Sequence, residues 1–228
     1  MKIGILQTGK SVPEVRAKMG EYADVFAALL DGHGFSFDRY MVVDGDFPQG
    51  PEAADGWLIT GSKHGAYEDL PWIGQLEDLI RAVRDSGKPL IGVCFGHQII
   101  AKALGGKVEK FSGGWAVGPQ TYEFVDGKKM VLHAWHQDQV TELPEGASVL
   151  ASNDFCQNAA LAIGERILTI QPHPEFTPWL VEQLIKTRGR GVVPDALLDR
   201  ALSRLPEPND SAEYAEIMAR FFKEADNG

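Results

Sequence analysis

Short apolar runs alternate with segments of helical periodicity along the first half of the chain. The runs at 2–7, 35–43, 56–60 and 88–93 predict strands, and the stretches at 13–30, 72–86 and 98–104 predict helices. In the first of these helices, Val25, Phe26, Leu29 and Leu30 are spaced to face a sheet. Strands joined by crossovers of helix length predict a parallel sheet with helices on both faces.

The pattern changes after the Gly105-Gly106 pair, where short β-like runs follow one another directly. They cover 107–111, 115–125, 130–133, 139–141, 148–151 and 159–163, with turn residues between them. A buried strand at 166–171 is followed by helical segments at 179–187, 194–205 and 211–224. We therefore predict a flavodoxin-like α/β fold, in which an open, mostly parallel sheet carries helices on both faces and an antiparallel β extension.

Length and composition narrow the class of protein. A chain of 228 residues favours one large α/β domain, and a net charge of −10 argues against nucleic acid, which needs a clustered positive face. No apolar run reaches membrane-spanning length, and the amino terminus enters a strand without a cleavage site. We expect a cytoplasmic protein that binds no membrane. Motifs for zinc, dinucleotides or a phosphate loop are absent from the sequence, so neither a metal nor a cofactor is expected.

The candidate chemistry begins at the turn after the 88–93 strand. Cys94 stands at the carboxyl end of this strand, with Gly92 and Gly96 two residues to either side. Glycines at these positions permit a sharp strand-to-helix turn that presents the thiol beyond the sheet. The first N–H groups of the helix favour a thiolate and can bind an oxyanion. Cys94 is therefore a candidate nucleophile, although a tight βα turn around a buried cysteine gives the same pattern.

A candidate base follows the strand at 166–171. His173 lies between two prolines, and Glu175, two residues on in an extended segment, points to the same side and could orient the imidazole. Whether the carboxylate reaches the ring depends on the geometry of the loop. After the 56–60 strand, the N–H of Gly61 is a candidate oxyanion donor together with that of Phe95, and a plain surface turn is the alternative.

Two of these motifs resemble those of class I, triad-type, glutamine amidotransferases. They are Gly92-Val93-Cys94-Phe95-Gly96-His97-Gln98 and His173-Pro174-Glu175, and the segments Leu58-Ile59-Thr60-Gly61-Ser62 and Trp135-His136-Gln137-Asp138 come in the family's order. The resemblance covers residues 3 to 185. Within the family, the chain is most similar to the amidotransferase portion of GMP synthetases and to their free-standing relatives.

The resemblance implies a role for each of eight residues. Cys94 would be the nucleophile, His173 the acid and base, and Glu175 its orienting carboxylate. Gly61 and Phe95 would supply the oxyanion N–H groups, and Gln98, His136 and Asp138 would bind the substrate. The implied reaction hydrolyses the side-chain amide of glutamine through a cysteinyl γ-glutamyl thioester and releases glutamate and ammonia.

The resemblance also sets the domain boundaries. It predicts a family domain at 1–188 and a C-terminal helical extension at 189–228, packed on the same domain. The loop reads Thr60-Gly61-Ser62-Lys63 where many relatives have Gly-Gly-Pro, so its turn could differ. A synthetase module is missing from the sequence, so any synthetase that uses the ammonia would be another chain.

Three functions stay open at this stage. The first is a glutaminase that works alone or beside an ammonia-using synthetase subunit. The second keeps the Cys–His–Glu triad but makes the protein a γ-glutamyl amide or peptide hydrolase, or a γ-glutamyl transferase. The third is a non-catalytic binding or regulatory subunit. The sequence also leaves a homodimer open.

Overall fold

The computed structural model describes residues 1–226, and the last two residues of the predicted extension lie outside this range. The strands are β1 (Lys2–Leu6), β2 (Ser36–Tyr40), β3 (Gly56–Ile59), β4 (Leu90–Val93), β5 (Lys107–Lys110), β6 (Ala116–Phe124), β7 (Lys129–His136), β8 (Asp138–Glu142), β9 (Ala147–Ser152), β10 (Ala160–Ile163) and β11 (Ile167–Ile170). The helices are α1 (Pro13–Met19), α2 (Tyr22–Leu29), α3 (Pro71–Asp85), α4 (Phe95–Ala103), α5 (Pro178–Leu184), α6 (Asp195–Arg204) and α7 (Ser211–Asp226).

Nine of the strands form one sheet in the order β2-β1-β3-β4-β11-β10-β9-β6-β7. The first five run parallel, from β2 to β11, and the last four pair antiparallel. Strands β5 and β8 form a separate antiparallel pair. The predicted fold, a mostly parallel sheet with an antiparallel extension, is therefore confirmed.

Apolar side chains on both faces explain why the central strands are covered by helices. Successive side chains in a strand point to opposite faces. In β4, Ile91 and Val93 pack with α2 and α7, whereas Leu90 packs with α3 and α4. All four residues of β4 are buried. This double burial fixes the strand whose carboxyl end leads into Cys94.

The single helix expected at 13–30 is wrong, because the chain forms α1 and α2 there. Gly20 adopts a φ of 81°, which ends the first helix. Glu21 is the N-cap residue of α2, and its side chain and that of Asp24 form a reciprocal capping box. The apolar spacing continues across the break, so the periodicity alone did not reveal it.

The chain after α5 packs against the antiparallel part of the sheet. A π-helical turn covers Ile185–Gly189, and α6 then lies on β6. A Cβ on Gly118 of β6 would lie 2.7 Å from the Cβ of Ala201, so the helix and the strand are in close contact. Leu198 of α6 is fully buried in the same cluster as α1 and α5. The segment that follows α5 is thereby held beside the carboxyl edge of the sheet.

None of the helices described is both long and apolar enough to cross a membrane.

Candidate active site

The turn between β4 and α4 is a strained elbow centred on Cys94. Among the described residues, Cys94 is the one non-glycine residue with a positive φ, at 55°. A Cβ on Gly92 would lie 2.5 Å from the carbonyl oxygen of Gly96, and one on Gly96 would lie 2.3 Å from that of Ile59. The two glycines are therefore needed because backbone segments touch. Helix α4 begins at Phe95, three residues earlier than expected, because the reversal is completed at the cysteine.

His173 and Glu175 lie just beyond β11, the strand next to β4 in the sheet. The backbone N–H of His173 donates a hydrogen bond to the carbonyl of His133, at 2.8 Å. Nδ1 of His173 lies 2.7 Å from Oε1 of Glu175, and the side chains of His173 and Glu175 are both buried. The question that the sequence left open is thus answered: the carboxylate reaches the imidazole.

The charges around His173 favour its protonated form. Burial by itself lowers the pKa of His173, but the Glu175 carboxylate and the Cys94 sulfur outweigh it and raise that pKa to about 10. Since Nδ1 faces Glu175, Nε2 is the nitrogen left for a hydrogen bond with Cys94. An imidazolium between a carboxylate and a sulfur is suited to give a proton to a leaving group.

Two aromatic residues that the sequence analysis missed hold the histidine ring. The ring of Phe176 stacks on His173 with centroids 3.8 Å apart and planes 6° apart. Tyr22 of α2 stacks on Phe176 in turn, at 6.5 Å. Phe176 directly follows Glu175, but no sequence rule assigns a role to that position. Tyr22 comes from a distant part of the chain, so local pattern did not point to it.

The loop after β3 brings the backbone of Gly61 against both Cys94 and His173. A Cβ on Gly61 would lie 2.9 Å from Cε1 of His173 and 3.6 Å from Cβ of Cys94. The hydroxyl of Thr8 donates to the Gly61 carbonyl at 2.9 Å and fixes the loop. Phe95 supplies the first N–H of α4 after the cysteine. The oxyanion roles of Gly61 and Phe95 stay predictions.

The three residues expected to bind substrate lie together at the same cavity. Nε2 of Gln98 donates to the Asp138 carbonyl at 2.9 Å and to Oε1 of Gln171 at 3.0 Å. Nδ1 of His136 lies 3.2 Å from the Asp138 carbonyl, and burial lowers the pKa of His136 to about 4. Burial raises the pKa of the Asp138 carboxyl, whereas a hydrogen bond from Tyr67 opposes that shift. Their role in substrate binding stays a prediction.

His97 lies beneath the elbow and away from the reacting groups. Its Nδ1 is 2.7 Å from Oγ1 of Thr169, and the side chain is fully buried. Burial lowers the pKa of His97 to about 3, so this ring is neutral. A neutral, enclosed imidazole fits packing better than proton transfer.

A cavity of about 390 Å³ opens over Cys94. One wall is the loop from Gly61 to Glu68, together with Asp138. Another part of the lining, which we call the C-terminal wall, consists of Tyr22, Trp115, Trp135, Leu184, Arg188 and Val192. Within residues 1–226, no group of three or more histidine, cysteine or acidic side chains is arranged to hold a metal ion.

Fold and site together define an α/β protein with a buried Cys–His–Glu arrangement at the carboxyl edge of a parallel sheet. The family model described as class-I glutamine amidotransferase matches residues 46–186. The chain therefore belongs to the class I glutamine amidotransferase family.

Three known proteins are similar to the chain. It is 39% identical over 173 residues to γ-glutamyl peptidase 4 of Arabidopsis thaliana, which covers 69% of this chain and 68% of that protein. It is 32% identical over 193 residues to the glutamine-hydrolysing GMP synthase of an Azoarcus species, covering 77% of this chain and 34% of that protein. The crystal structure of a glutamine amidotransferase from Methylobacillus flagellatus superposes with a TM-score of 0.77 at 20% identity, covering 99% and 94% of the two chains.

Proposed function

We propose that the protein hydrolyses γ-glutamyl amide bonds in small peptides through Cys94, His173 and Glu175. The observation that carries this proposal is the cavity around the triad. Its volume of about 390 Å³ falls in the range of pockets that enclose ligands larger than an amino acid. The same cavity includes the C-terminal wall, whose residues lie outside the triad. Glutamine, whose leaving group is ammonia, would leave that part of the cavity empty.

The reaction follows from the positions of the three side chains. The Cys94 thiolate attacks the γ-carbonyl carbon, and the N–H groups of Gly61 and Phe95 bind the oxyanion that forms. His173 gives its Nε2 proton to the departing amine, and the C–N bond breaks to leave a γ-glutamyl thioester. The same nitrogen then takes a proton from water, which attacks the thioester and releases glutamate. Glu175 holds the ring and balances its charge in both steps.

The similarity to a γ-glutamyl peptidase supports the same substrate class. That relative is 39% identical to the chain over 173 residues, whereas the GMP synthase is 32% identical over 193.

The second candidate function is glutamine hydrolysis in support of a separate ammonia-using synthetase. It is favoured by the family and by the match to GMP synthase. Transfer of the γ-glutamyl group to an amine would use the same thioester.

The test is glutamate release from γ-glutamyl dipeptides and from glutamine, measured side by side by mass spectrometry. We expect dipeptides to give the higher kcat/KM. Cys94→Ser should abolish turnover, whereas Cys156→Ala should retain it, because Cys156 is a buried thiol of the core whose pKa burial raises to about 12. Preference for glutamine would favour the second candidate instead. Unchanged turnover in Cys94→Ser would refute the proposed nucleophile.

A further inference from the structure

Three basic side chains line the cavity, although the protein as a whole is acidic. Lys63, Lys110 and Arg188 line the cavity, and none of the three forms an ion pair within the described part of the chain. The acidic groups at the cavity have hydrogen-bond partners inside the protein. Glu175 is bound to His173, and Glu68 accepts from the Gly65 N–H at 2.7 Å and pairs with His64 at 2.9 Å. Asp138 also forms no ion pair, but it accepts a hydrogen bond from Tyr67, so the unpaired basic side chains at the cavity outnumber the unpaired carboxylates among the described residues.

Arg188 differs from the two lysines in its surroundings. Lys63 lies close enough to Glu68, and Lys110 to Asp138, to lower the pKa of those carboxyls. Arg188 is half-buried, and its Nη2 donates to the Lys10 carbonyl at 3.0 Å. A guanidinium has five N–H donors, so most of them stay available to a ligand. A charge that is partly withdrawn from water and has no carboxylate partner is well placed to bind one.

The reaction determines which part of a substrate meets Arg188. His173 must lie beside the leaving nitrogen, since it donates the proton that breaks the amide. From the His173 ring the rings of Phe176 and Tyr22 follow in a stack, and both residues line the cavity. Burial raises the pKa of Tyr22 to about 12, and the charge of Arg188 opposes this rise while Glu175 and Cys94 add to it. Tyr22 therefore lies near enough to both the triad and the guanidinium to be affected by their charges, and all of these groups line the same cavity.

The C-terminal wall also offers an apolar surface to the leaving group. Trp115 and Trp135 meet edge to face with centroids 6.5 Å apart, and Leu184 packs in the same cluster. Val192 is 64% exposed at this wall, an unusual position for a large apolar side chain. Arg188 itself lies in the π-helical turn Ile185–Gly189, a geometry that is frequent at functional sites.

We infer that the C-terminal wall is a subsite for the leaving amino acid, in which Arg188 binds the free carboxylate of that residue and the two tryptophans contact its side chain. The preferred substrates would be γ-glutamyl peptides that end in an apolar residue with a free carboxylate. This inference rests on the proposed function. It assigns a specificity role to residues that lie outside the triad and, in the case of Arg188, beyond residue 186, where the family match ends.

The test compares γ-glutamyl-leucine with γ-glutamyl-leucinamide, which differ only in the charge of the terminal group. We expect the wild-type protein to prefer the free acid by about 10- to 100-fold in kcat/KM, as for hydrogen bonds to a charged group. Arg188→Gln should remove this preference, chiefly through a higher KM for the acid, and Arg188→Lys should restore part of it.

Lys186→Gln is the matched control, because Lys186 lies two residues away, is exposed, and pairs with Glu182 instead of lining the cavity. It should keep the full preference for the acid. Equal turnover of acid and amide by the wild type, or an undiminished preference in Arg188→Gln, would overturn the subsite while leaving the proposed hydrolysis intact.

A binding measurement separates the failure of the subsite from the failure of the proposed function. Calorimetry with Cys94→Ser reports affinity for the two probes without turnover. If the wild type cleaves neither probe, the proposed peptide hydrolysis fails. Tighter binding of the acid that is lost in the Cys94→Ser, Arg188→Gln double variant would still support the subsite. Equal binding of the two probes would then reject the subsite as well.

Discussion

Replacing Gly61 by alanine tests whether the loop after β3 belongs to the reaction centre. The new Cβ would lie 2.9 Å from Cε1 of His173, whereas carbon atoms in contact are normally about 3.5 Å or more apart. Either the imidazole or the loop must therefore move by roughly 0.6 Å. Catalytic groups tolerate displacements of only about 0.5 Å. The same methyl group would lie 3.6 Å from Cβ of Cys94, an ordinary contact, so the clash concerns His173.

Both ways of relieving the clash impair the reaction. If His173 moves, its alignment with the Cys94 sulfur and with the leaving nitrogen is lost, and a misplacement of about 1 Å can lower the rate ~100-fold. If the loop moves, the Gly61 N–H leaves the oxyanion, and loss of one such donor lowers kcat by about 10²- to 10³-fold. We therefore expect kcat for a γ-glutamyl substrate to fall by about 10²-fold or more.

Steady-state kinetics and thermal unfolding of Gly61→Ala are measured together with a control, Gly74→Ala. Gly74 lies within α3, and a Cβ there meets nothing within 4 Å, so this variant should keep full activity and unfold at an equal or higher temperature. Gly61→Ala should stay folded at the assay temperature, since overpacking costs about 1 to 3 kcal/mol. A folded Gly61→Ala protein with kcat within about threefold of wild type would refute both the oxyanion role and the contact with His173.

Two further predictions concern the histidine and the elbow. In the folded protein the pKa of His173 is raised from 6.5 to about 10, so its protonation stabilises the fold fully below pH 6.5, and this contribution is lost as the pH rises towards 10. Urea unfolding should therefore show that the free energy of unfolding of the wild type falls by about a few kcal/mol from pH 6 to pH 10. In Glu175→Gln the fall should be smaller. Parallel pH profiles of the two proteins would contradict the role of the carboxylate. In Gly92→Ala the new Cβ would lie 2.5 Å from the Gly96 carbonyl oxygen, so this variant should lower the free energy of unfolding by about 3 kcal/mol. If Gly92→Ala is as stable as Gly74→Ala, the elbow can relax and the steric argument is wrong.

The central strands and the triad motifs could be predicted from the sequence because each depends on neighbouring residues. Strands β3, β4 and β11 are short, mostly apolar runs buried on both faces, and Thr169 is the one polar side chain in these three strands. The spacing of Gly92, Cys94 and Gly96 indicates the elbow, because a Cβ on Gly92 would meet the Gly96 carbonyl within the same turn, whereas the contact that requires Gly96 is with Ile59 of β3. His173 and Glu175 are close in sequence, so an extended backbone brings the two side chains to the same side.

Features that depend on distant segments could not be predicted in this way. The break at Gly20 is a separate case, because it rests on the local capping box of Glu21 and Asp24, whereas the prediction used only the apolar spacing across residues 13–30. The Tyr22–Phe176 stack joins residues from α2 and from the loop after β11, and no pattern in either segment indicates the other. Arg188 lies between the helical segments predicted at 179–187 and 194–205, and a π-helical turn after α5 places it at the cavity.

The region beyond the family match changes what the cavity can hold. The family match ends at residue 186, yet Arg188 and Val192 line the cavity, and Gly189 brings the backbone close to Trp135, where an added Cβ would lie 3.1 Å from the ring. Helix α6 fixes this segment, because Leu198 packs against Gly189 and is fully buried. In the proposed reaction the triad acts on the amide bond itself, which glutamine and γ-glutamyl peptides share. Selection between these substrates would then fall to the 185–198 segment, so exchanging this segment between relatives should change the preferred leaving group while the triad stays the same.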